Sequence, residues 1–188
     1  MKFFNLFLIA SVMILSINTA SAAQRKHVIT PKLGYYEMKN GTTAGYRYDT
    51  SSDIVFGFEY ERRFDNGLTI GAEHMHFEND NISNPNEGEL RVNVFFFNSK
   101  YYFNYKEGSR FRPFIGLGAG YAFGNTRYED GGGESVQAMV GIAYEWDRVG
   151  MYFQYKRMYS KIDLSYFFYE KEYDISGQGF FTGVIIKF

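Results

Sequence analysis

The chain has 188 residues, no cysteine and a formal net charge of −1, so it has neither a disulfide framework nor the basic charge balance of a nucleic-acid binder. Aromatic residues make up 20% of it and glycine outnumbers proline 20 to 3, while the mean hydropathy is only −0.32. Beyond the first segment no apolar run reaches the roughly 20 residues that a membrane helix needs, and the composition points to one domain of strands that alternate between two environments.

Lys2 supplies a positive start, Phe3 to Ile17 an apolar stretch, and Ala20-Ser21-Ala22 a small-x-small cleavage pattern. This is the layout of a secretory signal peptide covering residues 1–22, leaving 23–188 as the mature domain. An uncleaved anchor is the competing reading; the apolar stretch is short for a bilayer span. No cysteine lies at the cut, so a lipoprotein is not expected.

Eight segments then alternate with period two. The first, about Val28 to Met38, sets Ile29, Pro31, Leu33 and Tyr35 on one face and Thr30, Lys32 and Gly34 on the other. A charge cannot readily face lipid at the bilayer midplane, so Lys32 points inward. In the second, about Asp53 to Phe64, Ile54, Phe56, Phe58 and Tyr60 point out, with Gly57, Glu59, Glu61 and Arg63 inward. Asn66-Gly67 marks a tight hairpin. The third, Leu68 to about Glu78, directs Leu68, Ile70 and Ala72 outward and Gly71, Glu73 and Met75 inward.

The fourth runs from about Leu90 to Asn104, with Asn98, Lys100 and Tyr102 assigned inward; Phe95-Phe96-Phe97 obscures its register and leaves room for a bulge. The fifth, Phe111 to about Phe123, turns Ile115, Leu117, Ala119 and Tyr121 out and Arg112, Gly116, Gly118 and Gly120 in. The sixth, about Glu134 to Trp146, has Ala138, Val140, Ile142 and Tyr144 outward and Gln137, Gly141 and Glu145 inward. The seventh, about Val149 to Tyr159, places Met151, Phe153 and Tyr155 out and Gln154 and Lys156 in. In the last, Phe180, Thr182, Val184, Ile186 and Phe188 share one face, opposite Gly179, Phe181, Gly183, Ile185 and Lys187.

Long connections are expected at Lys39–Ser52, Asn79–Glu89, Gly124–Gly133 and Ser160–Ser176, and short ones around Asn66, Glu107 and Asp147. Long outer loops alternating with short periplasmic turns are the habit of outer-membrane barrels. The predicted fold is therefore an all-β, eight-stranded antiparallel transmembrane barrel, both ends periplasmic. Phe188, with Ile186 and Val184 behind it, reads as the membrane-assembly signature. A soluble barrel would bury the apolar face inward instead.

The stretch Arg112-Pro113-Phe114-Ile115-Gly116-Leu117-Gly118-Ala119-Gly120-Tyr121, with Asn98 to Phe103 and Gly183 to Phe188, resembles the small outer-membrane β-barrel family of opacity-protein-like and OmpA-transmembrane-domain-like proteins. In layout the resemblance covers the mature chain; in sequence it is specific at those three places. It implies insertion by the outer-membrane assembly machinery after escort by periplasmic chaperones, and a role as adhesin, surface antigen or envelope-structural protein. The chain stops at Phe188, so no peptidoglycan-binding domain, and no cell-wall tether, is expected.

Four constellations are candidates for function. Glu59, Glu61, Arg63, Glu73, Lys100, Arg112, Glu145, Lys156 and Lys187 point into a bore that side chains just fill, so a paired plug is favoured over a small-solute pore. The Gly-x-Gly repeats of the fifth segment lack the following helix of a nucleotide site. His74 and His76 share a face near the outer rim, where a lipid A-modifying enzyme could place a base, but no Ser-Asp pair accompanies them. Tyr35, Tyr121, Phe123, Tyr155 and Phe180 are assigned to an outer aromatic girdle, and Phe64, Tyr101, Phe103, Phe111, Tyr144, Trp146 and Phe188 to an inner one. Tyr46, Tyr48, Tyr166, Phe167, Phe168 and Tyr169 lie in outer loops, either as a recognition surface or as strand extensions. The expectation is a Gram-negative outer-membrane protein without catalysis, cofactor or metal. Its expected partners are membrane lipids and host surface molecules, with a channel and a lipid enzyme as the alternatives.

Overall fold

The computed structural model describes residues 26–38, 42–43, 46–47, 52–79, 90–105, 109–126, 130–166 and 169–188. The signal-peptide assignment and the turn at Glu107 lie outside them. Among the described residues the elements are all strands: β1 His27–Met38, β2 Thr42–Thr43, β3 Tyr46–Arg47, β4 Ser52–Arg63, β5 Leu68–Asn79, β6 Leu90–Tyr102, β7 Phe111–Asn125, β8 Asp130–Glu145, β9 Val149–Tyr166, β10 Tyr169–Asp174 and β11 Gly177–Lys187.

Each long strand pairs antiparallel with its sequence neighbour, and β11 pairs back onto β1, which closes an eight-stranded barrel. The ladder can be followed once round: Val28 to Glu61, Gly71, Asn98, Gly118, Gln137, Met158, Gly177 and back to β1 at Met38. The path returns ten residues further along the strand on which it began. That stagger tilts the strands by about 40° and fixes a bore that side chains alone can fill.

The seam is tied at its periplasmic end. His27 N–H donates to the Phe188 carbonyl (3.2 Å) and Phe188 N–H to the His27 carbonyl (2.9 Å). The His27 ring stands between Tyr60 and Phe188, 5.9 Å from each, with Nδ1 2.6 Å from the Tyr60 hydroxyl.

The two faces are inverted relative to a soluble barrel. Phe56 is 61% and Leu117 69% exposed, whereas Arg63 and Lys156 are at most 1% exposed. The apolar surface faces outward and the charges face inward, which excludes the soluble alternative. No helix of the described residues is long and apolar enough to cross a membrane; the crossing elements are the strands.

Local chemistry explains the turns. At Asp65-Asn66-Gly67, Gly67 N–H donates to the Phe64 carbonyl (3.1 Å) and Phe64 N–H to that of Leu68 (2.8 Å). Gly67 has φ +86°, while Asn66 is not left-handed. The hairpin is thus a type I turn closed by a left-handed glycine, not the two-residue mirror-image turn that Asn-Gly favours. The Asn66 side chain accepts the Leu68 N–H (3.0 Å). At Asp147-Arg148, Trp146 N–H bonds the Val149 carbonyl at 2.8 Å.

Three expectations need correction. β6 runs without a bulge: its pairing with β5 and β7 is continuous through Phe95-Phe96-Phe97, because Phe96 points inward between two outward rings. The connection expected at Gly124–Gly133 is mostly strand, with Asn125 paired to Asp130. The connection expected at Ser160–Ser176 is a β-hairpin, in which β9 continues to Tyr166 and pairs with β10. Between β10 and β11 the Ser176 side chain carries the pairing: Ser160 N–H donates to Ser176 Oγ (3.0 Å), which donates back to the Ser160 carbonyl (3.3 Å).

β7 approaches β6 so closely that a Cβ at Gly120 would collide with the Phe95 carbonyl. Gly120→Ala is expected to destabilise the barrel by about 1–3 kcal/mol through forced backbone movement. A lower midpoint of urea unfolding in detergent micelles is the check; an unchanged midpoint would show that β6 yields freely.

Candidate functional site

The bore holds two kinds of matter. In its loop half Tyr36, Met38, Val55, Met75, Phe77, Val92, Val94, Phe96, Met158 and Ile162 pack into a continuous apolar cluster that Leu164, Tyr173 and Ile175 extend above the barrel. The expectation of a polar plug covers only the rest of the bore. These apolar residues lie on the inward face of the same alternation, so the strands carry apolar residues on both faces at this level.

Below that cluster the charges form one chain of alternating sign. Lys156 bonds Glu73, and Glu73 bonds Lys32. Lys32 lies 3.2 Å from Glu59, Glu59 lies 2.7 Å from Lys100, and Lys100 lies 2.7 Å from Glu61. Glu61 lies 3.3 Å from Arg63, and Arg63 2.6 Å from Glu145. At the periplasmic rim Glu145 also meets Arg112 (3.4 Å) and Lys187 (3.3 Å). The four innermost cations, Lys32, Lys100, Lys156 and Arg63, match the four carboxylates Glu59, Glu61, Glu73 and Glu145, so the buried part of the chain is electrically neutral.

Amides complete the carboxylates. Asn98 Nδ2 donates to Glu59 (2.9 Å) and Glu73 (2.8 Å), and Gln137 Nε2 donates to Glu73 and to Asn98 Oδ1, both at 2.7 Å. The cations lie against rings: Lys156 Nζ is 4.8 Å from the Phe181 centroid, Lys100 Nζ is 5.2 Å from that of Phe114, and the Arg63 guanidinium is 4.7 Å from that of Tyr102. Glycines make the room. A Cβ at Gly118 would strike Asn98 and Gln137, and one at Gly116 would strike Lys100 and Met139.

All eight charged residues singled out from the sequence for the interior, together with Lys187, stand in this chain. Lys32, read as inward but left out of that set, is the link between Glu59 and Glu73; its place opposite Pro31 and Leu33 was the available signal. Tyr102 also joins, its hydroxyl 3.3 Å from Glu61. The closing role of His27 had no signal in the sequence.

The outer candidates are placed as follows. Tyr46 pairs with Thr43 in the β2–β3 ladder, and Tyr166 with Tyr169 at the end of the β9–β10 hairpin. Tyr48, Phe167 and Phe168 lie outside the described residues. Val184, Ile186 and Phe188 lie on the outward face of β11 and just beyond it.

His74 and His76 do come together on the outward wall, through Asn93. Its Oδ1 lies 3.2 Å from His74 Nε2 and 3.0 Å from His76 Nδ1, and His76 Nε2 lies 3.3 Å from Glu78. The His74 ring is sandwiched between Phe58 (5.5 Å) and Phe95 (4.6 Å). The partners of both imidazoles are thus an amide, a carboxylate and rings, and no serine hydroxyl is bonded to either among the described residues. No metal-binding cluster occurs among the described residues.

No family model matches the sequence, and no curated protein matches it significantly. Solved structures do match in fold. The Neisserial surface protein A superposes with a TM-score of 0.64 at 12% identity, covering 87% of this chain and 97% of its own. The outer-membrane protein OprG of Pseudomonas aeruginosa gives 0.65 at 12% identity, covering 87% and 96%. Ail, the attachment invasion locus protein of Yersinia pestis in complex with the heparin analogue sucrose octasulfate, gives 0.51 at 14% identity, covering 86% and 97%.

Removing one carboxylate tests the neutral chain. Glu73→Gln strands Lys156, leaves Lys32 with Glu59 alone, and is expected to cost about 3–5 kcal/mol in unfolding free energy. Adding Lys156→Met is expected to recover part of that loss, since it removes the stranded cation. Full additivity of the two changes in a double-mutant cycle would show that the pair is not coupled.

The apolar outer wall, the neutral charged bore, the closed ten-residue stagger and these superpositions agree on one fold: the chain is a small eight-stranded barrel of the outer-membrane type.

Proposed function

We propose that this protein is a non-conducting barrel of the Gram-negative outer membrane that works through the surface it raises above the bilayer, in attachment or other surface interaction, without catalysis. The observation that carries this reading is the filled bore. An apolar cluster occupies its loop half, and a neutral ion chain packed with a second apolar cluster around Tyr102, Phe114 and Tyr152 occupies the other half. Such a filled interior supports a scaffold role over a conducting one. Function then falls to the exterior.

There the β9–β10 hairpin is the most developed feature. It continues the barrel wall upward, and the buried Ile162, Leu164, Tyr173 and Ile175 stiffen its base. In sequence the two strands of this hairpin are joined through Tyr166-Phe167-Phe168-Tyr169, an aromatic run of the kind favoured at recognition surfaces. The names of two of the fold neighbours, a surface protein and an attachment protein bound to a heparin analogue, support the same class of role.

Two measurements test it. The refolded mature protein in a planar bilayer is expected to give no steady single-channel current; stable openings in protein shown to be folded by heat-dependent gel mobility would replace this reading with a channel. Replacing residues 166–169 with serine is expected to lower adherence of displaying cells to a host-cell layer by about tenfold, the scale of losing clustered aromatic anchors, with gel mobility unchanged. Unchanged adherence would remove the hairpin tip from the binding surface.

A further inference from the structure

On the outward wall the apolar belt is broken at one side by Arg157 of β9. Directly beneath it on β9 and β11 are lipid-facing Tyr155, Phe153, Phe180 and Val184; above it on β9 come Tyr159, Lys161 and Asp163. Arg157 therefore marks the level at which the wall passes from hydrocarbon to headgroups.

The outward cations on the loop half of the barrel are not alike. Lys161 is neutralised by Glu172 at 2.7 Å, and Arg91 meets Glu78 at 3.5 Å. Arg157 has no carboxylate partner among the described residues. Its contact is the Tyr159 ring, 5.2 Å from the guanidinium carbon. A guanidinium at the edge of hydrocarbon is costly without a counter-charge, and the phosphate of a lipid is an anion that reaches it from outside the protein.

Three groups lie side by side on the outward wall here: Arg157, then Gln178, then Glu37 of β1 on the far side of Gln178, so the anion site is the Arg157 side of Gln178. Gln178 stands directly opposite Arg157 in the ladder. Its amide oxygen accepts the Tyr155 hydroxyl proton at 2.8 Å, which fixes the amide and leaves its NH2 group to donate. The planar fork of the arginine offers two parallel N–H bonds to a tetrahedral anion, and the amide offers a third. Below, the Phe153 and Phe180 rings stack at 5.7 Å and 18°, a flat apolar platform for acyl chains.

We propose that Arg157 and Gln178 form a binding site for the phosphate of an outer-leaflet lipid, with the acyl chains lying on Phe153, Phe180 and Val184. The amphipathic build commits the site to a lipid: the phosphate end is polar, and the surface that continues from it faces the bilayer. The proposal rests on the membrane orientation of the barrel and is independent of whether its hairpins bind a host surface.

The test measures retention of lipid A on the refolded mature protein in detergent by native mass spectrometry, using phosphorylated lipid A, its dephosphorylated form, and inorganic phosphate as competitor. The wild type is expected to retain the phosphorylated lipid about tenfold more tightly than Arg157→Gln, the scale of one charge-assisted fork. Arg157→Lys, which keeps the charge and loses the fork, should fall between them, and Arg91→Gln should match the wild type. The dephosphorylated lipid should not distinguish wild type from Arg157→Gln. Equal retention of phosphorylated lipid by wild type, Arg157→Gln and Arg157→Lys would overturn the site. Displacement of the lipid by millimolar inorganic phosphate would overturn the lipid assignment and leave a simple anion site. Heat-dependent gel mobility confirms folding of each variant, and Gln178→Leu, expected to weaken retention by about threefold as a neutral-donor loss, supplies an independent reading if Arg157→Gln does not fold.

Discussion

Closure is the constraint from which the rest follows. In hydrocarbon every backbone N–H and C=O needs a partner within the protein, and a sheet meets that demand only without edges. Here β11 meets β1, and the last bonds of the seam join His27 to Phe188. Eight strands with a ten-residue stagger set the diameter, and the diameter decides the interior. A bore this narrow must be filled, and whatever fills it is cut off from water.

That is why the buried charges have to balance locally. Lys156, Glu73, Lys32, Glu59, Lys100, Glu61, Arg63 and Glu145 alternate in sign along the chain, so each inner member sits between two opposite charges. Removing one inner member leaves each neighbour with fewer opposite charges, and the desolvation of so many ions offsets much of their attraction, so the chain is balanced more than it is strongly stabilising. The loop half uses a cheaper filling. Side chains such as Met75, Phe77 and Val94 need no partners, and they form a dry cap over the ion chain. At the other end a second apolar cluster, with Val28, Phe114 and Ile185, packs beside the ion chain, so charges and apolar side chains share that half of the bore.

Much of this was legible in the sequence because the side-chain period of a strand is two and the outside solvent is lipid. Once Lys32, Glu59 and Lys156 are barred from hydrocarbon, every residue of their strands is assigned a face. Which charges touch was not legible, since contact depends on the stagger, and the stagger is a property of all eight pairings at once. The Asn66-Gly67 pair announced a hairpin but not its type, because that depends on whether one or both residues turn left-handed. The stretch from Ser160 to Ser176 looks like loop in sequence because charged Lys161, Asp163 and Glu172 mask the alternation; above the membrane the outward face meets water, so its polar residues no longer look like a barrel strand. The inward Ile162, Leu164 and Tyr173 carried the signal that remained.

The outward wall follows a parallel logic at its polar breaks. On β5 and β6, His74, Asn93, His76, Glu78 and Arg91 hand hydrogen bonds and charge from one to the next toward the rim, and aromatic rings cover the deepest member. That seam satisfies itself and asks little of the lipid. On β9 and β11, Arg157 and Gln178 keep donors that find no acceptor among the described residues. The same rule that forces the bore to be neutral therefore makes the two seams unequal. Where the protein supplies the counter-charge, the surface is complete; at Arg157 a lipid phosphate supplies it on the reading proposed above, and that side of the barrel selects its lipid neighbours.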